Sequence, residues 1–230
     1  MGLATLRAHL LQALHPVAAT GLREHSRCDG DVWDRLRRTA RYVTVVTYGS
    51  CSQVLAATSR LRAVHARVEG TTDDGRPYRA DDPQLLIWVH SCLVASFLEL
   101  TTRGGLRLTG QEQDAYIAEQ VRSATLLGLE PDGVPHDRAS LLEYFRVRRP
   151  ALECTPVARQ AAVTLAAPPP GGSAGDECPP WADRATLALA ALPGWARRLY
   201  AEILPEDERV LLPPDAVTAA LRDLRDSLTG

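Results

Sequence analysis

Apolar residues spaced three and four apart, bracketed by capping residues and glycine stops, follow one another along this 230-residue chain, and strand-like alternation is scarce. That pattern restricts the fold to packed helices, an all-α, single-domain helical bundle long enough to bury a substantial core. Residues 4–14 read as a short helix stopped near His15-Pro16. Asp31 can cap a helix through Tyr48, with Gly49 as its stop. Val54, Ala57, Leu61, Val64 and Val68 then form one apolar stripe that also holds His65, before Gly70. Residues 71–80 read as a polar loop.

Asp82-Pro83 is a good N-cap and first-turn pair for the next helix, which is apolar nearly all round and so reads as a buried central helix. Gly104-Gly105 ends it. Thr109 with Glu112 makes a capping box for a helix to Leu127, stopped by Gly128. Further helices are expected at residues 138–149, after Thr155-Pro156, and at 181–192, 194–203 and 214–228. The Pro/Gly-rich stretch 168–180 is the best candidate for a mobile loop. The core should span about residues 8–150, with 151–230 as a helical extension.

Composition narrows the function classes. The net charge of −2 lacks the basic footprint of a nucleic-acid binder. All 26 basic residues are arginine, which removes lysine Schiff-base and P-loop chemistry. The cysteines (28, 51, 92, 154 and 178) are odd in number and form no C-x-x-C pair, so reduced thiols in a cytoplasmic protein are the simpler expectation. No secretion signal is expected. The apolar stretch 85–100 is shorter than a membrane span and carries His90, Ser91, Ser96 and Glu99, so no integral membrane segment is expected either. Hydrolase, dinucleotide and NTPase motifs are missing.

Histidines carry the chemistry. His15, His25, His65 and His90 are the candidates, the last two set within apolar helical sequence. Burying an imidazole requires a partner: an ordinary hydrogen bond, or a bound metal or haem iron. None forms an H-E-x-x-H or H-x-x-x-H pair, so a site would be assembled from separate helices. A flat macrocycle between helices suits that arrangement. Arg35, Arg38 and Thr39 share one helix face and could hold a propionate or steer bound oxygen, whereas Arg37 reads as solvated. Asp82 is explained by capping.

The order of several segments resembles one known family. They are Leu10-Leu11-Gln12-Ala13-Leu14-His15-Pro16, Glu24-His25-Ser26, Arg35-Leu36-Arg37-Arg38-Thr39, Val64-His65-Ala66-Arg67-Val68-Glu69-Gly70, Tyr78, Asp81-Asp82-Pro83 and Leu86-Ile87-Trp88-Val89-His90. The family is that of rubber oxygenase (latex-clearing protein) and the fungal oxygenase MpaB. The resemblance implies a globin-like helical core holding haem b, with His65 as the proximal iron ligand. It places Arg35 and Thr39 in the haem pocket, Arg38 where that family has a lysine, and His15 and His25 among the cofactor-binding candidates. A guanidinium cannot replace lysine as an iron ligand, which counts against polyisoprene cleavage. His90 is a candidate distal group or second axial ligand, without a residue-level match in rubber oxygenase. The family's catalytic glutamate lies upstream of the arginine; Glu24 is the nearest carboxylate, in a register that does not favour it.

The implied activity is a haem-dependent oxygenase or peroxygenase using dioxygen or peroxide on a small apolar organic substrate, such as an isoprenoid or another secondary-metabolite precursor. The rivals are a haem-binding or haem-sensing protein without turnover, a helical small-molecule-binding protein that has lost haem, and a non-haem iron enzyme using His15, His25, His65 and a carboxylate.

Overall fold

In a computed structural model, described at residues 2–24, 31–72, 74–166, 181–201 and 214–229, the chain is all-α apart from one small hairpin. Eleven α-helices run through the described residues. The central one is α1 (Gly2–Ala13), buried at every position from Ala4 onward. Around it pack α2 (Pro16–Glu24), α3 (Asp31–Tyr48), α5 (Pro83–Arg103), α8 (Pro156–Ala166) and α9 (Trp181–Ala190). The centre is therefore α1, where the apolar character of α5 had pointed to α5. Periodicity reports how apolar a helix is, while the degree of enclosure depends on how many neighbours reach it.

A helix buried along its length must find partners for the carbonyls of its last turn. The structure supplies them from distant segments. The Tyr200 hydroxyl donates to Leu10 O at 2.7 Å, from α10 (Gly194–Ala201). The Trp88 indole donates to Gln12 O at 3.2 Å, from α5. The Glu153 amide donates to Leu14 O at 2.9 Å. Polar side chains on α1 are also engaged. Arg7 donates to Ala191 O at 2.9 Å and to Ser96 Oγ at 2.8 Å, and Gln12 donates to Val89 O at 3.2 Å. Burial draws the Arg7 guanidinium down to about 10, so it still carries its charge at neutral pH, with Glu99 as counter-charge.

The expected caps at Asp82 and Thr109 are present. Asp82 accepts from Gln84 N and Leu85 N to start α5. Thr109 and Glu112 form a reciprocal capping box on α6 (Gly110–Leu126), and Gly128 at φ +93° closes it. Asp137 caps α7 (Arg138–Arg148). At 21 residues, α5 is longer than the apolar stretch suggested and is by length and composition able to cross a membrane; here half of its most apolar window is buried within the protein. The Pro/Gly-rich stretch 168–180 lies outside the described residues.

Two local expectations need correcting. The helix α4 (Cys51–His65) stops at His65, not near Val68, because Ala66 caps it through Arg62 O and Val64 O. Within the helix Val64 is 51% exposed, so the stripe narrows to Val54, Ala57, Thr58, Leu61 and His65. The expected polar loop contains an antiparallel hairpin of β1 (Glu69–Thr71) and β2 (Pro77–Arg79), with Gly70 opposite Tyr78. Strands of three residues are too short to announce themselves by alternation. Tyr78 anchors the hairpin by burying its ring against Gly21 of α2.

The central packing yields two predictions. Tyr200→Phe removes the donor to Leu10 O and leaves that buried carbonyl unpaired, so it is expected to cost about 1–2 kcal/mol, read as a lower urea midpoint at unchanged slope. The second concerns the core imidazoles His9 and His90, both depressed by burial to about 4 from 6.5, with Arg35 adding to the effect at His9. The unfolded chain binds both protons more tightly than the folded one. Their contribution to stability is therefore complete above pH 6.5 and is lost as the pH falls towards 4, by roughly 3 kcal/mol per group. Urea titrations across that window should show the loss, and His90→Leu should flatten part of it.

Candidate functional site

The most distinctive arrangement of polar groups lies where α1, α3 and α4 approach one another. Helix α3 packs against both α1 and α4. Arg35, next to the buried Leu36 on α3, is half-buried and carries a charge felt by two imidazoles. One is His65, the last residue of α4. The other is His9, in the middle of α1.

His65 is half-buried. Desolvation lowers its proton affinity first, the Arg35 cation lowers it further, and Asp81 partly opposes both. The neutral ring is therefore favoured at physiological pH, which is the form that can bind a metal. Helix α4 is poorly covered. Thr58 is its one buried residue, Val54, Ala57 and Leu61 are half-buried, and Leu55 is 60% exposed. An apolar stripe that its neighbours cover only in part is what a flat hydrophobic group between helices requires.

His9 is 3% exposed. Its Nδ1–H donates to Thr5 O at 2.8 Å, one turn back. A carbonyl can only accept, so the proton sits on Nδ1 and the lone pair on Nε2. That Nε2 is buried and has no hydrogen-bond partner. The sequence reading passed over His9, although a signal was available: a lone imidazole between Ala8 and Leu10 in a largely apolar helix.

The other candidates fall elsewhere. His90 is buried in α5, and desolvation is the sole cause of its depressed proton affinity, so no charged side chain addresses its ring. The His15 ring lies tilted by 41° against that of Trp88 with centroids 5.9 Å apart, and its buried Nδ1 also has no hydrogen-bond partner. Burial lowers its proton affinity first, then Arg148 and Arg76, with Asp82 opposing; none of these charges is shared with His65. His25 and the Glu24 side chain lie outside the described residues. Thr39 is half-buried on α3. Arg38 is exposed, with its guanidinium 3.8 Å from Asp34, and Arg37 is exposed and also pairs with Asp34. Asp81 is engaged by Arg79 at 2.9 Å. Among the described residues no group of three or more His, Cys, Asp or Glu side chains converges on a metal position.

These residues fit a haem better than a site built wholly from protein ligands. A haem iron needs one neutral imidazole, an apolar slot and a cation for its propionates. His65, the half-covered stripe of α4 and Arg35 meet those needs, and the orphaned Nε2 of His9 lies within the field of the same arginine.

Comparisons with known proteins bear on the family of the chain. Two curated relatives, the uncharacterized protein Mb2261 of Mycobacterium bovis and the uncharacterized protein Rv2237 of Mycobacterium tuberculosis, are each 28% identical over 142 residues, covering 60% of this chain. The chain spans about half the length of these relatives, 55% of each. No solved structure matches. Residues 1–225 match the family described as ER-bound oxygenase mpaB/B'/Rubber oxygenase, catalytic domain. The chain thus belongs to the mpaB/rubber oxygenase catalytic-domain family, an oxygenase family.

Proposed function

We propose that this protein is a haem b-dependent oxygenase or peroxygenase that acts on a small apolar organic substrate of isoprenoid or secondary-metabolite type. The observation that carries the reading is the meeting of His65, neutral and half-buried on a partly covered apolar helix, with the charge of Arg35. Membership of an oxygenase family supports it. A bound haem would supply an iron centre for activating dioxygen or peroxide.

The chain's own residues would do the rest. His65 would hold the iron through a nitrogen kept unprotonated by desolvation and by Arg35. Arg35 would pair with a propionate, as a permanently charged group with a planar donor edge. Thr39, one helical turn further along α3, would offer a hydroxyl on the same side. Val54, Ala57 and Leu61 would exclude water from the slot and favour an apolar substrate by contact shape.

Purification after expression with haem supplied is expected to give a protein with a Soret band. His65→Ala should abolish that band. Arg35→Leu should keep it but weaken haem affinity by about tenfold or more, the worth of one charge-assisted hydrogen bond. Carbon monoxide should shift the spectrum of the reduced protein. A colourless wild type that cannot be reconstituted would overturn the proposal.

A further inference from the structure

We propose that the tip of the α3–α4 hairpin docks this protein peripherally on an anionic lipid bilayer. Tyr48 and Leu55 would enter the headgroup boundary, and Arg41 and Arg60 would meet the lipid phosphates behind them. The docking does not depend on haem.

The first observation is charge. Residues 35–68 contain seven arginines and no aspartate or glutamate, in a chain whose net charge is −2, so the rest of the chain is acidic. Arg37 and Arg38 approach Asp34, which lies roughly 20 Å from Tyr48 along α3. Arg62 lies against Gly128 at the end of α6. Arg41, Arg60 and Arg67 are exposed and have no acidic partner among the described residues. Basic residues held near an anionic bilayer add to its attraction one by one.

The second observation is what stands at the tip. Only Gly49 and Ser50 join α3 to α4, so Tyr48 and Leu55 flank one turn. Tyr48 is 77% exposed and Leu55 60%. The exposed Leu142 and Val147 of α7 differ, because they sit beside the Glu143–Arg146 ion pair. An acidic protein would satisfy the arginines of the hairpin. The bare tyrosine and leucine at its tip call for acyl chains, and tyrosine is at home at headgroup level.

The spacing agrees. Arg41 precedes Tyr48 by two turns on the same exposed face of α3, about 10 Å back, and Arg60 follows Leu55 on α4 at about 7.5 Å. A headgroup layer is about 5–8 Å thick. With the tip at the base of that layer, both guanidinium groups reach the phosphates on their flexible stems. Arg41 and Tyr48 also lie about half a turn around α3 from Arg35 and Thr39, so docking leaves the candidate site untouched. It would hold the partly covered stripe of α4 beside the phase that dissolves an apolar substrate; that consequence alone rests on the function reading above.

The test sediments the full chain with vesicles of phosphatidylcholine, alone or mixed with phosphatidylglycerol. Binding is expected to be at least tenfold stronger on the anionic vesicles and to be lost at high salt. Arg41→Gln combined with Arg60→Gln should weaken it at least tenfold, about fivefold for each arginine. Tyr48→Ser combined with Leu55→Ser should weaken it at least tenfold as well. All four positions are exposed, so circular dichroism and the thermal midpoint should stay as in the wild type; should a double variant lose its fold, the single variants replace it. Equal binding to neutral and anionic vesicles, or anionic binding unchanged in either double variant, would overturn the proposal. So would capture by soluble polyglutamate in place of vesicles, or a self-association that the Tyr48 and Leu55 substitutions dissolve. A colourless chain that still binds anionic vesicles would uphold the docking while overturning the function reading.

Discussion

The enclosure of α1 is the constraint on which the rest depends. A helix surrounded on every side cannot leave its terminal carbonyls or its polar side chains to water. Each must be met by protein, and here the partners come from widely separated parts of the chain: Trp88, Val89 and Ser96 in α5, Glu153 after α7, Ala191 after α9, and Tyr200 in α10. These bonds do more than satisfy α1. They fix the height and rotation of the surrounding helices, since a one-residue slip of any of them would strand a buried carbonyl or a buried guanidinium.

The candidate site lies at the border between this tightly satisfied centre and a looser flank. On one side is α1, with its polar groups accounted for except a single nitrogen. On the other is α4, which packs chiefly on α3 and keeps most of its apolar stripe only half covered. Arg35 stands between them. Its permanent charge and the shortage of water combine to keep both His9 and His65 neutral. A rigid wall facing an incompletely covered one can admit a cofactor without disturbing the core that holds the protein together.

Much of the helical framework was legible because its signals are local. Asp82 with Pro83, Thr109 with Glu112, and Gly128 each act within four residues of the bond they make. The roles of α1 and α4 were less legible. Nothing in the local sequence of α1 distinguishes a short helix at the edge from one at the centre. The stop at His65 came from backbone bonds of Ala66 that periodicity does not encode, and Val64, counted in the stripe, is exposed. The hairpin depended on Tyr78 finding Gly21, more than fifty residues away. His9 escaped notice because its importance lies in what its second nitrogen fails to meet, which no local pattern states.

The order of residues alone thus settled the all-helical character, most helix starts, and the presence of Arg35 and His65 in a family-like succession, because short-range hydrogen bonds and side-chain spacing govern those properties. Three-dimensional packing alone decided which helix occupies the centre, which histidines share one arginine's field, and which buried polar atoms go without a hydrogen-bond partner. Those outcomes follow from desolvation and Coulomb forces acting through space, between segments that the chain itself keeps far apart.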